Sequence, residues 1–239
     1  MKPYYDAGGV TIYLADALDV LAEVELPELA AVVTDPPYAS GGRTEAAKPG
    51  MVGMLRGVRW AGKPIENDQM TTAGFVWLVR ELAQGVKPYL RDGGSFFSFI
   101  DWRQWPNLVG AIESVNFRVN GMIVWDKGSF GTGGHLRKQH ELICAASKGK
   151  PITESHAVAD VLRFKRETNE KHPSPKPAPL MGRLVSLSTG RGDVVLDPFA
   201  GCGPTLVAAK ALGRRAIGIE LVEAYCERAA ARCEATRAP

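Results

Sequence analysis

The chain has no apolar run long and unbroken enough to cross a bilayer, which excludes a helical membrane protein. Its first residues, MKPYYDAGGV, lack a charged start followed by an apolar stretch, so no secretory leader is expected and a cytoplasmic location is. Cysteine is scarce. Cys144, Cys202, Cys226 and Cys233 show no CxxC spacing, which argues against a disulfide framework and for reduced thiols. His135, His140, His156 and His172 lack both H-x-x-x-H spacing and cysteine partners, so no metal site is expected. Two nucleotide signatures are also missing. There is no G-x-x-x-x-G-K-[ST] loop, and the G-x-G-x-x-G form fails because Leu206 stands at its last position.

What the 239 residues do hold is 45% hydrophobic, enough for a single α/β domain spanning 1–239 with a full core. Short β-type runs alternate with helical patterns, which predicts a mostly parallel, seven-stranded sheet covered by helices. Strands are expected at 10–15, 30–34, 95–100, 122–125, 142–146, 194–196 and 216–219, and helices near 17–23, 72–90, 104–115, 177–189, 204–212 and 221–235. No helical pattern separates 122–125 from 142–146, so these two should form an antiparallel hairpin at one edge. Cys226 and Cys233, seven apart on the last helix, should face the core. Residues 39–70 and 147–171 read as long loops, and Pro173, Pro175 and Pro177 forbid a continuous helix just beyond the second.

Net charge is only +3, but it is unevenly spread. Residues 1–34 carry Lys2 against six acids, whereas 127–183 carry eleven Lys or Arg against five acids. A second basic run from Arg43 to Lys63 holds one acid, Glu45. One face turned toward a polyanion would explain this; so would an ordinary solvated surface.

Two segments carry chemistry. The first, Asp193-Val-Val-Leu-Asp197-Pro-Phe199-Ala-Gly201-Cys-Gly203-Pro204-Thr205, passes from a buried strand through a glycine turn into a helix. Gly201 and Gly203 allow close backbone approach to a ligand, and Pro204 suits the first helical position. Asp197 falls at a strand's C-terminal end, where open α/β sheets bind ligands. Glu220, 23 residues later at the end of another strand, could accept hydrogen bonds from a ribose diol. A capping acid on a generic βαβ unit is the plainer alternative. Without a phosphate signature, the segment favours an adenosyl ligand lacking a pyrophosphate.

The second segment, Asp35-Pro36-Pro37-Tyr38, follows the 30–34 strand. Two prolines hold it extended and fix a carboxylate beside an aromatic ring. Acceptors at Asp35 and the Pro36 carbonyl could hold both hydrogens of an exocyclic base amine, and Tyr38 could stack on a base rotated out of a duplex. A strand-terminating turn is the competing explanation.

With these motifs in this order, the chain resembles the beta-class, circularly permuted DNA amino-methyltransferases of bacterial restriction-modification and phage systems, whose tetrapeptide precedes the glycine motif. The resemblance covers about residues 10–235 and includes Asp92-Gly93-Gly94, Trp125-Asp126-Lys127 with His140-Glu141, and His172-Pro173-Ser174-Pro175-Lys176-Pro177. It implies a Rossmann-like class I methyltransferase fold and S-adenosyl-L-methionine as cofactor. It implies an amine pocket at Asp35, Pro36, Pro37 and Tyr38. Cofactor contacts would come from Asp16, Ala17, Asp35, Asp160, Val161, Lys176, Asp197, Phe199, Gly201, Gly203, Thr205 and Glu220, with the 172–177 turn and Lys176 covering the ligand. Cys202 and Pro204 stand where the family more often has Ser and Thr, and Ser174-Pro175 where it has Thr-Gln. The partner implied is double-stranded DNA. Arg43, Arg56, Arg59, Lys63, Arg137, Lys138 and Arg166 are candidate phosphate contacts by charge and position, and Trp60 a candidate for base stacking. Trp102 and Trp105 read as ordinary packing residues. The inserts at 39–70 and 147–171 are short for a recognition region, which leaves room for weak sequence preference or for a homodimer.

Cytosine C5 chemistry is excluded, because the residues before the four cysteines are Ile143, Gly201, Tyr225 and Arg232 and none is the usual proline. Asp at the tetrapeptide's first position leans toward adenine N6 in this family, whereas Ser leans toward cytosine N4. Cytosine N4 remains the close rival. RNA or protein methylation usually goes with the opposite motif order, and a catalytically inactive DNA-binding module would not need an adenosyl pocket.

Overall fold

A computed structural model describes residues 1–37, 70–131, 135–153, 158–166 and 176–237. In chain order these form β1 (Tyr5–Ala7), β2 (Val10–Leu14), α1 (Ala17–Glu23), β3 (Leu29–Thr34), α2 (Thr72–Val86), β4 (Leu90–Ile100), α3 (Trp105–Glu113) and β5 (Arg118–Asp126). Next come β6 (His140–Ser147), β7 (Val161–Arg163), α4 (Ala178–Ser188), β8 (Val194–Asp197), α5 (Pro204–Ala211), β9 (Arg215–Glu220) and α6 (Glu223–Ala235).

All strands among the described residues join one sheet in the order β1-β2-β9-β8-β3-β4-β6-β5-β7. The pairings from β2 through β4 are parallel, β6 runs antiparallel between β4 and β5, and β7 lies parallel to β5. Among the described residues nine strands therefore replace the seven expected from sequence. The two additions are three residues each, at opposite edges. β1 folds back on β2 through Gly8 and Gly9, both at positive φ (59° and 77°), where glycine pays no steric penalty. β7 covers the outer side of β5, so the β5–β6 pair is not the sheet's edge as its sequence suggested. The strand expected at 95–100 begins earlier, so that Asp92–Gly94 lies inside β4, where the register with β3 slips between Leu29 and Ala31.

The period-two alternation along the strands feeds two apolar layers. Val32, Phe96, Ile100, Leu142 and Ile219 face α1, α2 and α3 through Val20, Phe75, Leu82 and Ile112. Val33, Phe97, Phe99, Ile143 and Val195 face α4, α5 and α6 through Leu180, Leu184, Leu206, Cys226 and Cys233. β3, apolar on both faces, is buried along its whole length, as a central strand of a three-layer α/β/α sandwich must be. Cys226 and Cys233 are fully buried, as their spacing predicts. No helix among the described residues is long and apolar enough to cross a membrane.

This topology fixes where a ligand can sit. From β3 the chain crosses by α2 on one face to β4; from the neighbouring β8 it crosses by α5 on the other face to β9. Adjacent strands whose connections leave in opposite directions open a crevice beyond their carboxyl ends. Asp35 and Asp197 stand at that crevice.

Candidate active site

The β8–α5 turn is built from its own backbone. Asp197 is buried; its Oδ1 accepts the Phe199 N–H at 3.1 Å and its Oδ2 accepts the Thr205 hydroxyl. Gly203 holds φ 76° as the residue before α5, and Gly201 holds φ 51°. Pro204 opens the helix without needing a donor, as expected. Glu220, at the end of β9, accepts the Gly201 N–H at 2.9 Å on Oε2 and the Val222 N–H at 2.8 Å on Oε1. Each carboxylate oxygen keeps a further lone pair, so Glu220 can still receive a ribose hydroxyl. Burial pushes the Asp197 carboxyl up to about 7, with Thr205 and the Phe199 amide only partly opposing it. Burial also raises Glu220, against its backbone hydrogen bonds.

Asp16 is reached through β2. Leu14 pairs with Glu220 and the Ala15 N–H bonds the Glu220 carbonyl at 3.0 Å, which brings Asp16 and Ala17 beside the same turn. The Asp16 carboxylate also caps α1, accepting the Leu18 N–H at 2.8 Å. Phe199 is half-buried against the core. Asp197, Phe199, Gly201, Gly203, Thr205, Glu220, Asp16 and Ala17 therefore converge. Asp160 and Val161 do not. They belong to β7 and its approach, five strand spacings from β8, or about 24 Å, where the Asp160 carbonyl and Val161 extend the β5 ladder.

Across the crevice the composition changes. The Asp35 Oδ2 lies 2.6 Å from the Lys176 ammonium, and that ammonium lies 3.2 Å from Glu141 Oε2 and 5.0 Å from the centre of the Phe99 ring. Glu141 in turn pairs with Lys127, whose ammonium sits 4.9 Å from the centre of the Trp125 ring. Both lysines are buried. Two carboxylates and two ammonium groups alternate and cancel, the condition under which charges can be kept from water. Asp35 Oδ1 and the Thr34 hydroxyl oxygen are buried with no hydrogen-bond partner among the described residues. Burial raises the Asp35 carboxyl, and Lys176 pulls back without cancelling it. Burial would raise Glu141 as well, but its two lysines outweigh that and hold it down. Pro36 is buried and Pro37 half-buried next to Asp35.

Lys176, expected over the cofactor, is tied to Asp35, which was expected in both the amine pocket and the cofactor contacts. Glu141 and Lys127 were visible only as parts of a hairpin motif. The available signal was a Lys and a Glu at the facing ends of two paired strands, with Trp125 opposite Glu141 in register.

Arg137, Lys138 and Arg166 are exposed at the same end of the sheet. Arg137 donates to the Gly131 carbonyl at 2.8 Å and lies 4.0 Å from the centre of the Phe130 ring. Of the 147–171 loop, residues 148–152 run to the other end, where Lys148 and Ile152 bond Gly93 and Gly94. Trp105 packs on the core as expected, but Trp102 is 54% exposed beyond β4. Tyr38, Arg43, Arg56, Arg59, Trp60, Lys63 and residues 172–175 lie outside the described residues.

Comparison with known proteins gives the arrangement its context. The N6/N4 methyltransferase family model, described as DNA methylase, matches residues 29–231. YubD of Escherichia coli (strain K12) is 31% identical over 194 residues, covering 81% of this chain and 77% of that protein. The type II methyltransferase M2.DpnII of Streptococcus pneumoniae is 25% identical over 98% of this chain and 93% of its own length. Among solved structures, the M1.HpyAVI–SAM complex aligns with TM-score 0.70 at 23% identity, over 94% of this chain and 99% of that one. The PvuII DNA methyltransferase, cytosine-N4-specific, aligns with TM-score 0.73 at 19% identity, over 97% and 88%. Both likenesses show a shared fold.

Proposed function

The chain belongs to the N6/N4 DNA methylase family, S-adenosylmethionine-dependent DNA methyltransferases, and we propose that it methylates the N6 amine of adenine in double-stranded DNA. The observation that carries the proposal is Asp35, whose Oδ1 is buried and unpartnered among the described residues while Oδ2 is held by Lys176. A buried acceptor without a donor costs about 1–3 kcal/mol unless a ligand supplies one. An exocyclic amine supplies two hydrogens. Asp rather than Ser at this position favours adenine over cytosine, following the family resemblance.

The opposite wall suits the cofactor by its donor and acceptor set. Glu220 offers two oxygens to a ribose diol, the Gly201–Gly203 turn brings backbone close, and the buried Asp197 carboxylate suits a cationic ligand. Bound there, S-adenosylmethionine supplies an electrophilic methyl group. Asp35 accepts one amine hydrogen, holding the nitrogen beside the β3–β8 crevice and drawing its lone pair out of conjugation with the ring. Because burial raises its carboxyl, Asp35 can also take the proton that the nitrogen must lose once methylated. Pro36 and Pro37 keep the segment extended so that its carboxylate cannot retreat into a helix.

Methyl transfer from labelled S-adenosylmethionine to unmethylated duplex DNA, followed by nucleoside mass spectrometry, tests this reading. N6-methyladenine is expected. N4-methylcytosine alone would overturn the adenine assignment while keeping the amine chemistry.

A further inference from the structure

The four charges Asp35, Lys176, Glu141 and Lys127 come from four separate places: the end of β3, the approach to α4, the start of β6 and the turn after β5. Nothing in methyl transfer itself asks for two buried lysines, and each unpaired would be costly. Their placement gives them a purpose. Lys176 touches only one oxygen of Asp35, at 2.6 Å on Oδ2, leaving Oδ1 unpartnered among the described residues. Lys176 is itself fixed from behind by Glu141 Oε2 at 3.2 Å and by the Phe99 ring. Glu141 is fixed by Lys127, and Lys127 by the Trp125 ring and by its backbone N–H on the Gln139 carbonyl at 2.9 Å.

We propose that Lys176 is a positioning residue for the reaction, clamped by Glu141 and Lys127, which pins Asp35 through Oδ2 so that Oδ1 is always the oxygen presented to the base amine. The inference rests on Asp35 being the amine acceptor. It reassigns Lys176 from cofactor cover to the substrate side. Lys176 also favours the accepting, ionised form of Asp35 against the burial that raises its carboxyl, since the charged groups facing Asp35 among the described residues are Lys176, Glu141, Lys127 and Asp197, and only the lysines favour ionisation.

The test is the pH dependence of single-turnover methyl transfer at saturating S-adenosylmethionine, with cofactor affinity measured separately by calorimetry on Lys176→Met, Lys176→Arg, Glu141→Gln and Asp35→Ala. Lys176→Met should lose about 10²-fold in rate, with its acid limb displaced to higher pH and cofactor affinity within about twofold of the parent. Lys176→Arg should restore part of the rate. Glu141→Gln removes a negative neighbour and should move the acid limb the other way, to lower pH, which keeps the test alive if Lys176→Met does not fold. An unmoved acid limb in Glu141→Gln, or a Lys176→Met variant that loses cofactor affinity and keeps its acid limb, would overturn the assignment. Asp35→Ala separates the two levels. If it methylates normally, the reading of Asp35 fails and this inference with it; if it is inactive while Lys176→Met is normal, only the positioning role fails.

Discussion

The two walls of the crevice are built on opposite plans. On the β8–β9 wall the carboxylates are answered from within: Asp197 by Phe199 and Thr205, Glu220 by Gly201 and Val222. On the β3–β6 wall, ions hold ions and two oxygens, Asp35 Oδ1 and Thr34 Oγ1, are left buried without partners among the described residues. A wall satisfied by short-range backbone bonds is rigid before any ligand arrives. One held by side chains from four elements, with acceptors in reserve, is completed by what it binds. The first suits a common cofactor. The second suits a substrate group that must be oriented to a fraction of an ångström.

Breaking the rigid wall should do the most damage. In Gly203→Ala a Cβ would stand 2.8 Å from the Ala229 Cβ and 3.2 Å from its Cα, at a φ of 76°. Strain and overlap together should cost roughly 2–6 kcal/mol of stability, read as a drop in melting temperature with loss of cofactor binding. Glu220→Gln removes the charge but spares the fold. S-adenosylmethionine should bind about 10- to 100-fold more weakly, while single-turnover transfer at saturating cofactor stays close to that of the parent.

Acidity sharpens the contrast further. With its carboxyl raised to about 7, Asp197 is protonated on the acid side and ionised above it. Ionisation costs the ligand-free protein stability as pH rises from the ordinary carboxylate range through about 7, whereas a cationic ligand prefers the ionised form. Affinity for S-adenosylmethionine should therefore climb, up to about tenfold, between roughly pH 6 and 8, and binding near neutrality should release protons in calorimetry. Asp197→Asn should flatten that climb. The smallest effect belongs to neither wall. Neutralising Arg137 or Lys138 should leave cofactor affinity unchanged and lower the salt slope of DNA binding by about 1 per residue.

Most of this architecture was legible because it is local. Alternation marked the seven principal strands, and turn chemistry marked Gly201, Gly203 and Pro204. The short edge strands escaped for different reasons. β1 offered only three residues, although the Gly8-Gly9 pair after it was a hairpin signal. β7 was hidden in a segment that read as loop. Placement at the crevice was legible where an acid ended a predicted strand, as at Asp35, Asp197 and Glu220. The pairing of Lys176 with Asp35 was not legible, because it arises only where α4 returns against β3, nor was the place of Asp160 and Val161, whose motif says nothing of how far β7 stands from β8.

The claim that the walls divide the work is tested most directly by Asp35→Ala, with cofactor affinity and single-turnover methyl transfer to duplex DNA measured on the same preparation. The expected result is S-adenosylmethionine binding within about twofold of the parent and transfer slower by about 10²- to 10³-fold. Transfer at the parent rate, or a loss of cofactor affinity that accounts for the whole loss of rate, would contradict it.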